Sequence, residues 1–438
     1  MTGTTIDQTN RPESQVKELF IKKQSENKPA SPALEKFNKA AFEKFEKLKF
    51  PDRKHEMYTF VGTKELVSTS FALGEAGTIT INQADAMTNP ASKNSRIVFV
   101  NGAYSESLSD LSGLGEGISL EPLSESIGKK EVSDYLLESL ENENDVFAAL
   151  NGALLTNGLV LEIAEKAAFK APLQILYLAT DSDSPTVHCP RLLVLARRSS
   201  ALDIDVKFSG GGDHSFVNAT MDVILEENAR ISFTQFQNNS AWHLSKLKAS
   251  LKRDSRFLVS SAMAGAKLAR CHYEMWLNEP GAELQLNNLS VLRGEEQAHN
   301  YVQIHHKAEH CTSAQLFRNI VDDKARSSVD GTVVVHPGAQ LTSSDQLINN
   351  LMLSDDCRAD NKPNLKIYAD DVKCTHGATV GQVDEEQVFY LKTRGLSEAT
   401  ARTLLTRSFA ESLIETAQSQ EVAQDWRNVL LKKLEANA

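Results

Sequence analysis

The residue types best suited to metal chemistry sit two apart, Cys374 and His376 in the phrase DVKCTHGATVG. Thiolate and imidazole suit zinc or iron–sulfur centres, but such sites normally need about four donors. On a strand, the period of two turns both side chains to one face, with Lys373 and Thr375 on the other. That makes half a site, and Cys357, His336 or a second polypeptide are the candidates for the remainder. Two other readings stay open: a Cys–His catalytic pair, since imidazole can hold a neighbouring thiolate, and a buried cysteine beside a hydrogen-bonded histidine with no chemistry.

A second donor-rich phrase, YVQIHHKAEHC, carries His305, His306, His310 and Cys311. As a continuous strand it puts His306 and His310 on one face and His305 and Cys311 on the other, so the four do not converge. Several cofactor signatures are missing from the sequence. No Gly-rich loop ends in Gly-Lys-Ser or Gly-Lys-Thr, GLGEG has the wrong spacing for a dinucleotide fingerprint, and GGGDHS lacks a phosphate-binding lysine. If ATP drives this system, another subunit hydrolyses it. Neither a Gly-x-Ser-x-Gly elbow nor a His-Glu-x-x-His motif is present.

The elements that must position these residues follow from composition and pattern. The chain has 438 residues, 41% of them hydrophobic, with a formal charge of -11. That is ample for a large core and argues against a nucleic-acid partner. Apolar runs such as APLQILYLA are of strand length, so no membrane span is expected, and the first thirty residues lack a signal core. The five cysteines form an odd set without a Cys-x-x-Cys pair, which suits a reducing compartment, and a cytoplasmic protein is expected.

In SPALEKFNKAAFEKFEKLKFP, Ser31 caps a helix with Pro32 at its first position and Leu34, Phe37, Ala41, Phe45 and Leu48 along one stripe. From about Arg96 strands and short helices mix, and beyond about Leu159 β-type alternation dominates. A short phrase recurs there at Asn228, Gly265, Gly281, Gly338 and Gly377, separated by 37, 16, 57 and 39 residues. Those separations are near multiples of roughly 16 to 20 and point to a solenoid coil of that size. The expected fold is mainly β, a parallel β-helix core flanked by N-terminal and C-terminal helical regions. Its divisions are a helical domain over 1–95, a mixed α+β segment over 96–158, the β-helix over 159–385 and a helical domain over 386–438. At the C-terminal end Leu405, Phe409 and Trp426 lie on helical stripes, with Trp426 the preferred anchor for a partner. A β-helix with scattered Asp and Arg also leaves open a carbohydrate-active enzyme, although only 7% of residues are aromatic.

From HPGAQLTSSDQLINNLMLSDDC through DDVKCTHGATVGQVDEEQVFYLKTRGL, and again at RIVFVNGAYSESLSDL and CPRLLVLARRSS, the chain resembles the SufB/SufD family of iron–sulfur cluster assembly scaffolds. The resemblance runs from about Arg96 to the end; at the N-terminal HEMYTF the tryptophan common in the family is missing. His376-Gly377 stands where SufB-like chains tend to have His-Glu, and such chains lack a cysteine at position 374, so the SufD-like branch fits better. The resemblance implies a non-enzymatic scaffold with a right-handed β-helix. It implies pairing with SufB through that core and engagement of the SufC ATPase through the C-terminal helices. Cys374 and His376 would lie near the SufB interface, where iron is acquired and a transient iron–sulfur cluster forms. A reduced flavin in the assembled complex, a homodimer of the isolated chain, and a passive role as a structural partner of SufB all stay open.

Overall fold

Each strand of the central body pairs in parallel with a strand one coil later in sequence. Trp242 pairs with Leu268, Ala269 with Ala298, Ala298 with Ser327 and Ser327 with Ala359, offsets of 26, 29, 29 and 32 residues. This computed structural model describes residues 12–26, 31–51, 54–75 and 77–435. Successive coils contribute one strand to each of two sheets, and the stack amounts to a β-solenoid of about 8 turns. RIVFV, the strand Arg96–Val100, already belongs to the second sheet, where it pairs in parallel with Leu173–Ala179.

The coil is therefore longer than the 16 to 20 residues expected from the recurring phrase. Asn228, Gly281 and Gly338 mark one corner of the coil, between strands of the first and second sheets, and their spacing covers two coils at a time. Gly265 marks the opposite corner, and Gly377 lies inside a strand. The 16-residue step from Gly265 to Gly281 is thus one side of a coil. All four corner residues have positive φ, 58° at Asn228 and 74–87° at the glycines, the left-handed backbone that Gly and Asn tolerate best.

Inward-facing Leu, Ile, Val and Phe from both sheets fill the solenoid, for example Val329, Val333 and Val335 from one side with Phe317 and Ile348 from the other. The N-terminal helix Pro32–Leu48 forms as its pattern predicts. Ser31 accepts from the Leu34 amide, and Leu34, Phe37, Ala41 and Phe45 are buried. It packs against Val146–Leu154, a helix buried on every side. Asp145 caps that helix and ties it to the solenoid. Its carboxylate accepts from Phe147 N at 3.0 Å, Tyr58 Oη at 2.6 Å and Arg270 Nη1 at 2.9 Å, with His272 Nδ1 also at 2.9 Å. Burial alone would raise its pKa, but the Arg270 guanidinium and His272 hold it well below the usual carboxylate range.

The C-terminal helices Glu385–Thr393, Glu398–Ile414 and Gln420–Trp426 start at Asp384, Ser397 and Ser419, whose side chains cap them. The last two pack on the outer face of the second sheet. Trp426, the anchor expected for a partner, is only 1% exposed; it packs on Phe236 of the solenoid with ring centroids 6.3 Å apart. This corrects the expectation, because a side chain spent on its own core has no surface left to offer. Phe409 is half-buried, with the Arg318 guanidinium 4.8 Å from its ring, and Leu405 is also half-buried. The exposed apolar side chains here are Phe389, Tyr390 and Leu404. Among the described residues no helix is long and apolar enough to cross a membrane.

Candidate functional site: two donors on an open coil

The last coil consists of Arg358–Ile367 and Val372–Gly381, which end their respective sheets. Each pairs with the preceding coil on one side only, so ten residues of backbone edge in each strand face no other strand among the described residues. Pro363 is compatible with this position, since proline cannot donate to a ladder and is confined to sheet edges. An unpaired pair of edges is a template for another chain.

Cys374 and His376 lie on Val372–Gly381 in register with Ser344 and Gln346 of the coil beneath. Ser344 and Gln346 are buried in the solenoid, so Cys374 and His376 share the inward face, as the period of two required. Cys374 is half-buried and packs against the core. Burial pushes its thiol pKa up, and a backbone hydrogen bond at Ser344 offsets part of that rise. His376 is exposed at the open end.

Beneath these two residues run two polar columns. Under Cys374, Ser344 Oγ lies 2.9 Å from Ser313 Oγ, which lies 2.9 Å from His306 Nε2. Under His376, Gln346 Nε2 donates to Gln315 Oε1 at 3.1 Å. These column residues escape a search for ligand spacings, yet the sequence carries their signal. Ser-x-Gln occurs at 313–315 and again at 344–346, and one coil later the same two positions become Cys374-x-His376.

The other candidate donors stay apart. Cys357 is buried at the far corner, its thiol donating to Val321 O and Ser354 O, each at 3.1 Å. At roughly 3.3 Å per residue along the intervening strand, it lies about 25 Å from Cys374. His336 is turned to His305, with Nε2 3.2 Å from His305 Nδ1, and the His305 ring stacks on Trp276 with centroids 3.8 Å apart. Burial lowers the His305 pKa to about 4. The strand carrying His306 ends there, so His310 falls in the following turn with φ 59° and does not share a face with it. Cys311 is buried, its thiol donating to Glu279 O at 3.3 Å. Among the described residues no group of three or more His, Cys, Asp or Glu is placed to hold a metal ion. The arrangement can supply one sulfur and one imidazole nitrogen at an open edge, and further donors must come from outside those residues.

Residues 177–409 match the model for the SUF system FeS cluster assembly, SufBD core domain, and residues 10–175 match the SufBD protein N-terminal region. The chain belongs to the SufBD family. The SufBD core match takes in the whole last coil, with Cys374 and His376 inside it. Among SufBD relatives, the iron–sulfur cluster assembly protein SufD of Escherichia coli is 30% identical over 381 residues, covering 85% of this chain and 87% of that protein. An iron–sulfur cluster assembly SufBD family protein of Synechocystis is 29% identical over 383 residues, 84% of each chain. Protein ABCI7, chloroplastic, of Arabidopsis thaliana is 28% identical over 312 residues, 68% of this chain and 65% of that one.

Proposed function

We propose that this chain is a non-enzymatic scaffold subunit of iron–sulfur cluster assembly that pairs with a second SufBD chain of the SufB type through its last coil. The observation that carries this reading is the coincidence of two unpaired strand edges with an incomplete donor set on the same coil. A partner coil added to these edges would cover the half-buried Cys374 and exposed His376 and bring its own donors to them. Iron and the nascent cluster are cargo of this site. Cys374 and His376 fit as two of the donors, the thiol losing its proton as the soft metal centre binds.

The C-terminal helices are proposed as the docking element for the SufC-type ATPase. Phe389, Tyr390 and Leu404 are the apolar side chains they leave exposed. This placement leaves the hydrolysis of ATP to the partner, consistent with a sequence that has no phosphate-binding Gly-Lys-Ser or Gly-Lys-Thr loop.

The test is reconstitution of this chain with SufB-type and SufC-type partners, comparing Cys374→Ala and His376→Ala with the native chain. Iron content and cluster absorbance should fall in both variants while the complex still assembles. Unchanged cluster formation in both would remove the two residues from the mechanism and leave a passive structural partner.

A further inference from the structure

His336 is absent from the Cys374 coil because it is held against His305 on the outside of the first sheet. Met275, Leu277, Ile304 and Val335 point into the core, so Trp276 and His305, which alternate with them, face outward. Both histidine backbones are fixed. His305 belongs to the strand Gln297–His306, while His336 N donates to His306 O at 2.9 Å and His336 O accepts from Ala339 N at 3.1 Å. The His305 ring is fixed as well, since it stacks on Trp276 with planes 6° apart, and Trp276 Nε1 donates to Glu274 Oε1 at 2.8 Å. Trp276, His305 and His336 are all partly exposed, so ions in solution reach them.

The distance between the rings matches a chelate. Two metal–nitrogen bonds of about 2.0–2.1 Å, enclosing an angle between a right angle and the tetrahedral value, set their nitrogens roughly 2.8–3.4 Å apart. His305 Nδ1 and His336 Nε2 are 3.2 Å apart. We propose that His305 and His336 form a bidentate site for a borderline divalent transition-metal ion, the class that imidazole suits, with water in the remaining positions. Without an ion the two nitrogens share a hydrogen bond; on binding, the ring that donates in it carries its proton on its far nitrogen instead. The Glu274–Trp276–His305 chain holds one imidazole in place before the ion arrives, the outer support that ligating histidines use. Charges around the pair are of both signs, Glu274 against Lys307, whose Nζ lies 4.8 Å from the Trp276 ring, so a cation meets no uniformly positive surface. Two side-chain donors are fewer than a structural zinc site uses, which makes this an exchangeable site and not a folding staple. It uses neither Cys374 nor His376 and stands apart from the reading of the last coil.

The test is calorimetric titration of the untagged full chain with Ni²⁺, read in parallel by tryptophan fluorescence, because a paramagnetic ion on His305 quenches the indole stacked on that ring. The native chain should bind one ion saturably and lose part of its emission. Trp276→Phe should still bind the ion but show no such loss. His305→Gln and His336→Gln should each weaken binding by about tenfold or more and remove the quenching, with urea midpoints near native. Cys374→Ser combined with His376→Gln should leave both readouts as they are. A native chain without a saturable site would overturn the proposal, as would binding and quenching that survive either single histidine substitution. Loss of binding in the Cys374→Ser, His376→Gln chain would overturn it too and assign the ion to the last coil. No cluster or partner enters the assay, so its failure and a failed assembly assay are separable.

Discussion

Replacing Trp426 by alanine separates two roles for the C-terminal helix by where the effect is felt. The ring is 1% exposed and packs in a cluster with Phe236, Leu289, Ile320, Leu413 and Leu430. A buried tryptophan removes about 150–250 Å² from water, which at about 25 cal/mol per Å² is roughly 4–6 kcal/mol. Its Nε1 is buried with no hydrogen-bond partner among the described residues, a penalty of about 1–2 kcal/mol that the substitution relieves. The net expectation is a loss of about 2–5 kcal/mol, which overlaps the range usual for Trp→Ala in cores. The loss should appear in the isolated chain, as a lower urea midpoint and as faster amide exchange in Glu398–Ile414 and the solenoid surface beneath it. A partner anchor would behave differently, leaving the isolated chain within about 0.5 kcal/mol of native while weakening the complex. That second pattern would refute the packing argument.

Asp145→Asn should destabilise the chain by about 3–5 kcal/mol in urea unfolding at neutral pH, because Arg270 is left buried without its counter-charge. Since the Asp145 pKa is depressed in the folded chain, its contribution is complete above the unfolded carboxylate pKa of about 4 and is lost as pH falls through the folded value, so native and variant should converge in acid. His243 and His299, each buried with a pKa of about 3, bind fewer protons folded than unfolded between that value and about 6.5. Thermal stability should therefore fall on acidification from about pH 6.5, by up to about 1.4 kcal/mol per pH unit for each histidine, and His243→Gln should flatten the slope. Phe389→Ala should leave the melting temperature of the isolated chain nearly unchanged, since the ring is 69% exposed, and reduce capture of the ATPase in a pull-down.

The local features of this fold are legible in the sequence because their causes are local. Ser31 and Ser397 cap the helices they precede, the stripe from Leu34 to Phe45 is buried, and alternation marks the strand that turns Cys374 and His376 to one face. The coil length is less legible, because the recurring turn phrase marks both corners and, at Gly377, no corner at all. Trp426 shows another limit. An amphipathic helix announces an apolar face, but the sequence does not say whether that face meets the chain's own sheet or another protein. The columns under Cys374 and His376 become visible only with the register, which aligns Ser313-x-Gln315, Ser344-x-Gln346 and Cys374-x-His376 as three layers of one pattern. Local pattern therefore places the two candidate donors on one face, and only stacking shows what lies beneath them.

The solenoid also acts as a ruler. With neighbouring strands roughly 4.8 Å apart, the seven steps between the first and last of about 8 turns separate the first coil from the open one by about 34 Å. The graduation is coarse, since the stack can lengthen or shorten only by whole coils, each 26 to 32 residues in the stretch from Trp242 to Ala359. Within a coil, extra residues can be absorbed at a corner without moving the end, as the offset of 32 between Ser327 and Ala359 illustrates beside the 29 that precedes it. The height at which Cys374 and His376 are presented is thus quantised by backbone pairing, while the loops at the corners remain free to vary.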